Sequence, residues 1–109
     1  MSVDGDEVLL VISTLPDWES AERFARDLIE ARVAACVNML APCVSVYRWQ
    51  GTIEDKGEIP VLIKTTARRY EQLESKIREL HPYELPEILA VPVTRGLPGY
   101  LGWVAAETA

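Results

Sequence analysis

The sequence predicts an α+β fold of order β-α-β-β-α-β followed by a short C-terminal helix. Three observations carry that prediction. Apolar, valine-rich runs stand at 8–14, 36–49, 58–66 and 88–94; stretches with helical apolar spacing separate the first pair and the last pair; and turn-forming residues, with no helical pattern, separate the middle pair. The length of 109 residues, with 49% hydrophobic and 26% charged residues, suits one domain over 1–109 around one core. Repeats and low-complexity segments are absent from the sequence.

Residues 8–14, VLLVIST, are apolar on both faces, as in a strand covered on both sides or extended by a partner. Pro16 and Asp17 punctuate the chain. Asp17 is placed to cap a helix whose Ala21, Phe24, Ala25, Leu28 and Ile29 fall at i, i+3, i+4, i+7 and i+8, with Glu22, Arg23, Arg26 and Glu30 on the solvated face. From Val44 the 36–49 run alternates, setting Val44 and Val46 against Ser45, Tyr47 and Trp49. Gly51 predicts a bulge, residues 54–57 (EDKG) a tight turn, and 58–66 (EIPVLIKTT) the returning antiparallel strand. Pro60 has no N–H for the ladder, which predicts an edge or an irregularity there.

Tyr70, Leu73, Ile77 and Leu80 mark a second amphipathic helix that ends near His81-Pro82, because a residue before proline disfavours helical ψ. Residues 88–94, ILAVPVT, form the last strand. Gly96, Pro98 and Gly99 break it, and 100–107 reads as a short helix with Tyr100, Leu101, Trp103 and Val104 apolar. This order is the split βαβ, or ferredoxin-like, sandwich with an extended hairpin between strands two and three. Its two helices shield one sheet face only. Bulky side chains on the other face predict a homo-oligomer whose subunits cover one another's sheets.

Charge and composition exclude several function classes. A net charge of −6 repels phosphate backbones and argues against nucleic-acid binding, as does the absence of aromatics in the third strand. The acidic start MSVDGDEV has no apolar signal region and no run approaches a bilayer span, so no membrane partner is expected and a cytoplasmic location is. Cys36 and Cys43 lie about 23 Å apart if on one strand, too far for a disulfide, and are expected reduced. Phosphate-loop motifs and a C-x-x-C loop before the first helix are missing.

The chemistry then rests on a few residues. His81, the only histidine, opens HPYELPEI at 81–88 and reads equally as a helix-closing residue or as a ligand, with a general base as a third role. Glu84 and Glu87 nearby give an imidazole and carboxylate set suited to a divalent cation. Cys36 is either a packed small residue or a thiol in that set. Tyr47, Trp49 and Trp103 are interface aromatics or walls of a ligand cage, and Lys64 snorkels along its strand or serves an anion. A groove lined by Tyr47, Trp49, Lys64, His81, Tyr83 and Glu84 is the alternative site for a small ligand or partner protein.

The strings AACVNML at 34–40, YRWQGTIE at 47–54, KTT at 64–66, HPYELPEI at 81–88 and YLGW at 100–103 make the chain resemble the CutA family of divalent-cation tolerance proteins. The resemblance runs in order over residues 8 to 104. It implies a ferredoxin-like subunit in a homotrimer whose long hairpin pairs with neighbouring subunits, and a role in tolerance of copper(II) or other divalent ions without catalysis or an organic cofactor. It also implies copper ligands from a cysteine ending strand one and histidines before Pro-Tyr. Here Ser13 and Leu80 occupy two of those positions, leaving Cys36 and His81, with Glu84, as the metal set; Thr52 replaces a lysine frequent in the hairpin block. The second function that the resemblance leaves open is a trimeric signalling or scaffold module using the groove between subunits.

Overall fold

A computed structural model describes residues 4–109; Met1 to Val3, the start of the acidic N-terminal stretch, lie outside the described residues. After a 3-10 turn at Asp4–Asp6 the elements are β1 (Val8–Leu15), α1 (Trp18–Glu30), β2 (Cys36–Met39), β3 (Cys43–Trp49), β4 (Thr52–Thr66), α2 (Tyr70–Leu80), β5 (Leu89–Pro92) and α3 (Pro98–Glu107). The strands are ordered β2-β4-β1-β5, all antiparallel, and β3 extends the sheet along the far half of β4. This is the ferredoxin-like order, with the expected second strand divided into β2 and β3.

Asp17 caps α1 as its position predicts: its carboxylate accepts the Ser20 backbone N–H at 2.8 Å, which holds the carboxyl below its ordinary value. Ala21, Phe24 and Leu28 of α1, with Leu73 and Ile77 of α2, pack on Val11 and Leu15 of β1 and Ile59, Val61 and Ile63 of β4. Because side chains alternate along a strand, the even residues of β1 and β4 face away from those helices. That second face carries Leu10, Ile12 and Leu62, half-buried, and Leu89 and Val91, exposed, all brought together by the pairings Leu10↔Val91 and Ile12↔Leu89 and Leu62 opposite Ile12. α3 covers only one end of it. There Thr66 and Thr108 hydroxyls meet at 3.1 Å, beside buried Val8 and Val104.

The hairpin differs from the sequence expectation. Its turn is at Gln50-Gly51, both at positive φ (49° and 84°), between the paired Trp49 and Thr52; this matches the two-residue turn whose twist suits antiparallel strands. Residues 54–57, expected as the turn, run extended within β4, and Gly51 is a turn residue instead of a bulge. The irregularity sits elsewhere. Met39 pairs with Val61 but Cys43 with Glu58, so four steps on one strand face three on the other, and one extra residue is accommodated at 40–42. Pro60 lies opposite this break in a strand that is interior to the sheet, so its missing N–H falls where the ladder is already interrupted.

Ser13 is fully buried, and its hydroxyl has no hydrogen-bond partner among the described residues. A buried hydroxyl left unpaired carries an uncompensated desolvation penalty. Ser13→Ala is expected to stabilise the fold by about 1 kcal/mol, read as a higher denaturation midpoint at constant m-value.

Candidate functional site

The β3–β4 ribbon projects beyond the sheet and leaves Val44, Val46 and Ile53 more than two-thirds exposed, at 71%, 69% and 67%. Register puts Ser45, Tyr47 and Trp49 on its opposite side together with Glu54, Lys56 and Glu58. This side meets the connection after α2, and between them lies a cleft of about 670 Å³ whose far wall is Tyr83, Glu84, Leu85, Pro86 and Glu87.

The cleft floor is a polar network. Glu58, buried at 8% exposure, accepts hydrogen bonds on Oε2 from the Thr14 hydroxyl at 3.0 Å and from the Tyr83 hydroxyl at 3.0 Å. Burial and the Glu58 carboxylate both push the Tyr83 phenol up, so it remains a donor at any physiological pH. The Lys56 ammonium lies 3.9 Å from the centroid of the Tyr83 ring, over its electron-rich face.

His81 stands beneath this network. It is the C-terminal boundary of α2, with extended ψ of 135° as its place before Pro82 requires, and its backbone N–H closes the helix on the Ile77 carbonyl. Its ring does not cap α2, contrary to one of the sequence readings. Nε2 lies 2.6 Å from the Thr14 carbonyl oxygen and Nδ1 accepts the Tyr83 backbone N–H at 3.1 Å. A carbonyl can only accept, so Nε2 carries the proton, and the neutral ring with a bare Nδ1 satisfies both bonds. Burial holds the imidazole below its ordinary 6.5, against the opposing pull of the Thr14 carbonyl and the Glu58 charge. Phe24 of the core meets it edge to face with centroids 6.1 Å apart.

Of the candidates read from sequence, Tyr47, Trp49, Tyr83 and Glu84 line one cleft. Lys64 and Cys36 do not join them. They face each other across the β2–β4 pairing on the open sheet face, Lys64 Nζ being 4.0 Å from Cys36 Sγ and 5.8 Å from the Tyr100 ring centroid. Lys64 is opposite Leu10, four residues along β1 from the Thr14 carbonyl that holds His81, a separation of about 13 Å. One chain therefore does not gather Cys36, His81 and Glu84 into a metal centre, and among the described residues no group of three or more His, Cys, Asp or Glu side chains is placed to hold an ion. Both cysteines are free, as expected.

Thr14, Lys56 and Glu58 were not legible as site residues. The signal that could have found Lys56 and Glu58 is the alternation of Thr52, Glu54, Lys56 and Glu58 once the turn is placed at Gln50-Gly51, since register then sets them against Trp49, Tyr47, Ser45 and Cys43.

The sequence profile of a family described as CutA1 divalent ion tolerance protein matches residues 9–107. A relative from Thermus thermophilus, the divalent-cation tolerance protein CutA, is 41% identical over 103 residues, 94% of this chain and 98% of its own. The crystal structure of CutA from Xylella fastidiosa superposes with a TM-score of 0.92 at 48% identity, covering 94% of this chain and 99% of the other. A structure from Archaeoglobus fulgidus, described as a periplasmic divalent cation tolerance protein, gives a TM-score of 0.90 at 33% identity, with 94% and 99% coverage. No helix among the described residues is long and apolar enough to cross a membrane.

Proposed function

The chain belongs to the CutA family of divalent-cation tolerance proteins, and on that premise we propose that it acts as a cytoplasmic homotrimer of single-domain subunits that responds to divalent metal ions by binding instead of catalysis. The observation that carries the assembly is the uncovered sheet face of Leu10, Ile12, Leu62, Leu89 and Val91; the ribbon adds open valines, Val44 and Val46, on its other side. Apolar area of that kind on an acidic domain is stabilised by a partner, and a second and third copy supply matching faces. The free cysteines support a reducing compartment.

The metal set of Cys36, His81 and Glu84 does not fit within one chain, so an ion joining Cys36 on the open face to Glu84 in the cleft wall requires a subunit boundary. His81 enters such a set only by giving up the Thr14 carbonyl or the Tyr83 amide. Calorimetric titration of the assembled protein with copper(II) is expected to show saturable binding that weakens about tenfold or more in Cys36→Ser and in Glu84→Gln. Unchanged affinity in both variants removes them from the site, and no saturable binding removes the metal-binding reading.

A second reading, a signalling or scaffold module with a ligand site, is favoured by the cleft itself: aromatic walls over a satisfied polar floor are the usual lining of a small-molecule site.

A further inference from the structure

We propose that the cleft binds a primary organic ammonium carried on an apolar stem. The proposal rests on the reading of the cleft as a ligand site and names the class of ligand. Four carboxylates, Glu54, Glu58, Glu84 and Glu87, line the cleft against one basic side chain, Lys56. Phosphates and other anions are therefore disfavoured, and cations are drawn in.

The aromatic content separates organic cations from metal ions. Tyr47 and Trp49 present partly open ring surface on the ribbon side, Tyr83 faces them from the connection, and Leu85 and Pro86 add apolar wall. A divalent ion gains little from such walls and wants three or more oxygen, nitrogen or sulfur donors close together, an arrangement not found among the described residues. An alkylammonium uses both kinds of lining: its stem lies on the rings, and its N–H groups reach carboxylates or the face of an aromatic ring.

The protein itself shows that the arrangement accepts an ammonium. Lys56, reaching in from β4, holds its Nζ 3.9 Å from the Tyr83 ring centroid. The Tyr83 hydroxyl donates to the Glu58 carboxylate, which enriches the ring in electron density and strengthens its hold on a cation. Lys56 is thus a tethered occupant of one end of the cleft, and an external ammonium competes with it or binds beside it against Tyr47, Trp49, Glu84 and Glu87.

The test is calorimetric titration of the assembled protein with putrescine, and with butanediol as the neutral counterpart of the same stem. Putrescine is expected to bind about tenfold or more tighter than butanediol, and more weakly as salt is raised. Lys56→Gln removes the tethered competitor and a positive charge and is expected to tighten putrescine binding several-fold; Trp49→Ala, on the exposed ribbon, is expected to weaken it several-fold. Equal binding of the diol, no saturation below ~10 mM, or no change in Lys56→Gln overturns the proposal. If Trp49→Ala fails to fold, Lys56→Gln and the diol comparison decide alone. Failure with putrescine, alongside a different organic molecule retained in native mass spectrometry, overturns the ammonium class and spares the cleft as a ligand site. Failure together with an empty cleft removes both.

Discussion

Leu62→Glu is expected to convert the assembled protein to folded monomers. Leu62 lies in the interior of β4, between Ile12 of β1 and Asn38 of β2, at the centre of the face the two helices leave bare. In a trimer built on that face each substitution would bury a carboxylate without a partner, at several kcal/mol per charge and three times per particle. The helix-covered core of Val11, Leu28, Ile63, Leu73 and Ile77 is on the opposite side of the sheet and remains intact. Sedimentation velocity should therefore show a species of one-third the mass with unchanged helical circular dichroism, and a lower thermal midpoint because the linkage to assembly is gone. A particle of unchanged mass would mean that this face is not the interface.

His81→Ala is expected to cost about 3 kcal/mol of stability, because it strands the buried Thr14 carbonyl, leaves the half-buried Tyr83 amide without its partner and removes packing against Phe24. His81→Gln, whose amide can still donate to Thr14, should recover part of the loss. The sign of the pH effect follows from the depressed imidazole. The folded state resists a proton that the unfolded chain accepts near the ordinary 6.5, so the contribution of neutral His81 is complete above that value and is lost as pH falls through 6.5 towards the lower folded value. Urea unfolding between about pH 7.5 and pH 5 should show this acid slope in the parent protein and a shallower one in His81→Gln. Equal slopes would remove His81 as their origin.

These two residues also mark how far the sequence could be read. The face of α1 was legible because period alone sets it: Ala21, Phe24 and Leu28 at helical spacing all reach the core, although Ile29 at the same spacing is exposed. The core face of β1 was not, because residues 8–14 are apolar on both faces and only the structure selects Val11 and Leu15. The cap at Asp17 was legible because it acts within one turn. The hairpin turn was not, because two local signals competed. EDKG has turn composition, but Gly57 needs no left-handed backbone, whereas Gln50 and Gly51 both adopt positive φ, and glutamine carries little advertisement of that. With the turn read at 54–57, Glu54, Lys56 and Glu58 do not fall opposite Tyr47, Ser45 and Cys43 as they do in the structure.

The site was legible only in outline for a related reason. HPYELPEI stood out as a cluster of chemically versatile residues, and Tyr83 and Glu84 do line the cleft. The use His81 makes of its ring, however, depends on a backbone carbonyl 67 positions away at Thr14, and no side-chain pattern announces a carbonyl. Cys36 and Lys64 seemed separable from one another and joinable to His81; strand pairing did the opposite.

The extra residue at 40–42 shifts the chain by half a strand period. Before it, even-numbered residues of β2 share a side with the even-numbered residues of β4; after it, odd-numbered residues of β3 do. Tyr47 and Trp49 thus pair with Glu54 and Thr52 on the side that carries Lys56 and Glu58, while Val44 and Val46 lie on the other side. A single-residue deletion there would leave two residues facing Ile59 and Pro60 and close the break into a regular ladder, because the Gln50-Gly51 turn holds β3 in register on β4. The segment 40–42, although it has the composition of an ordinary connector, therefore encodes length as information: its residue count lets the register of β2 and the register set by the hairpin turn coexist on one strand.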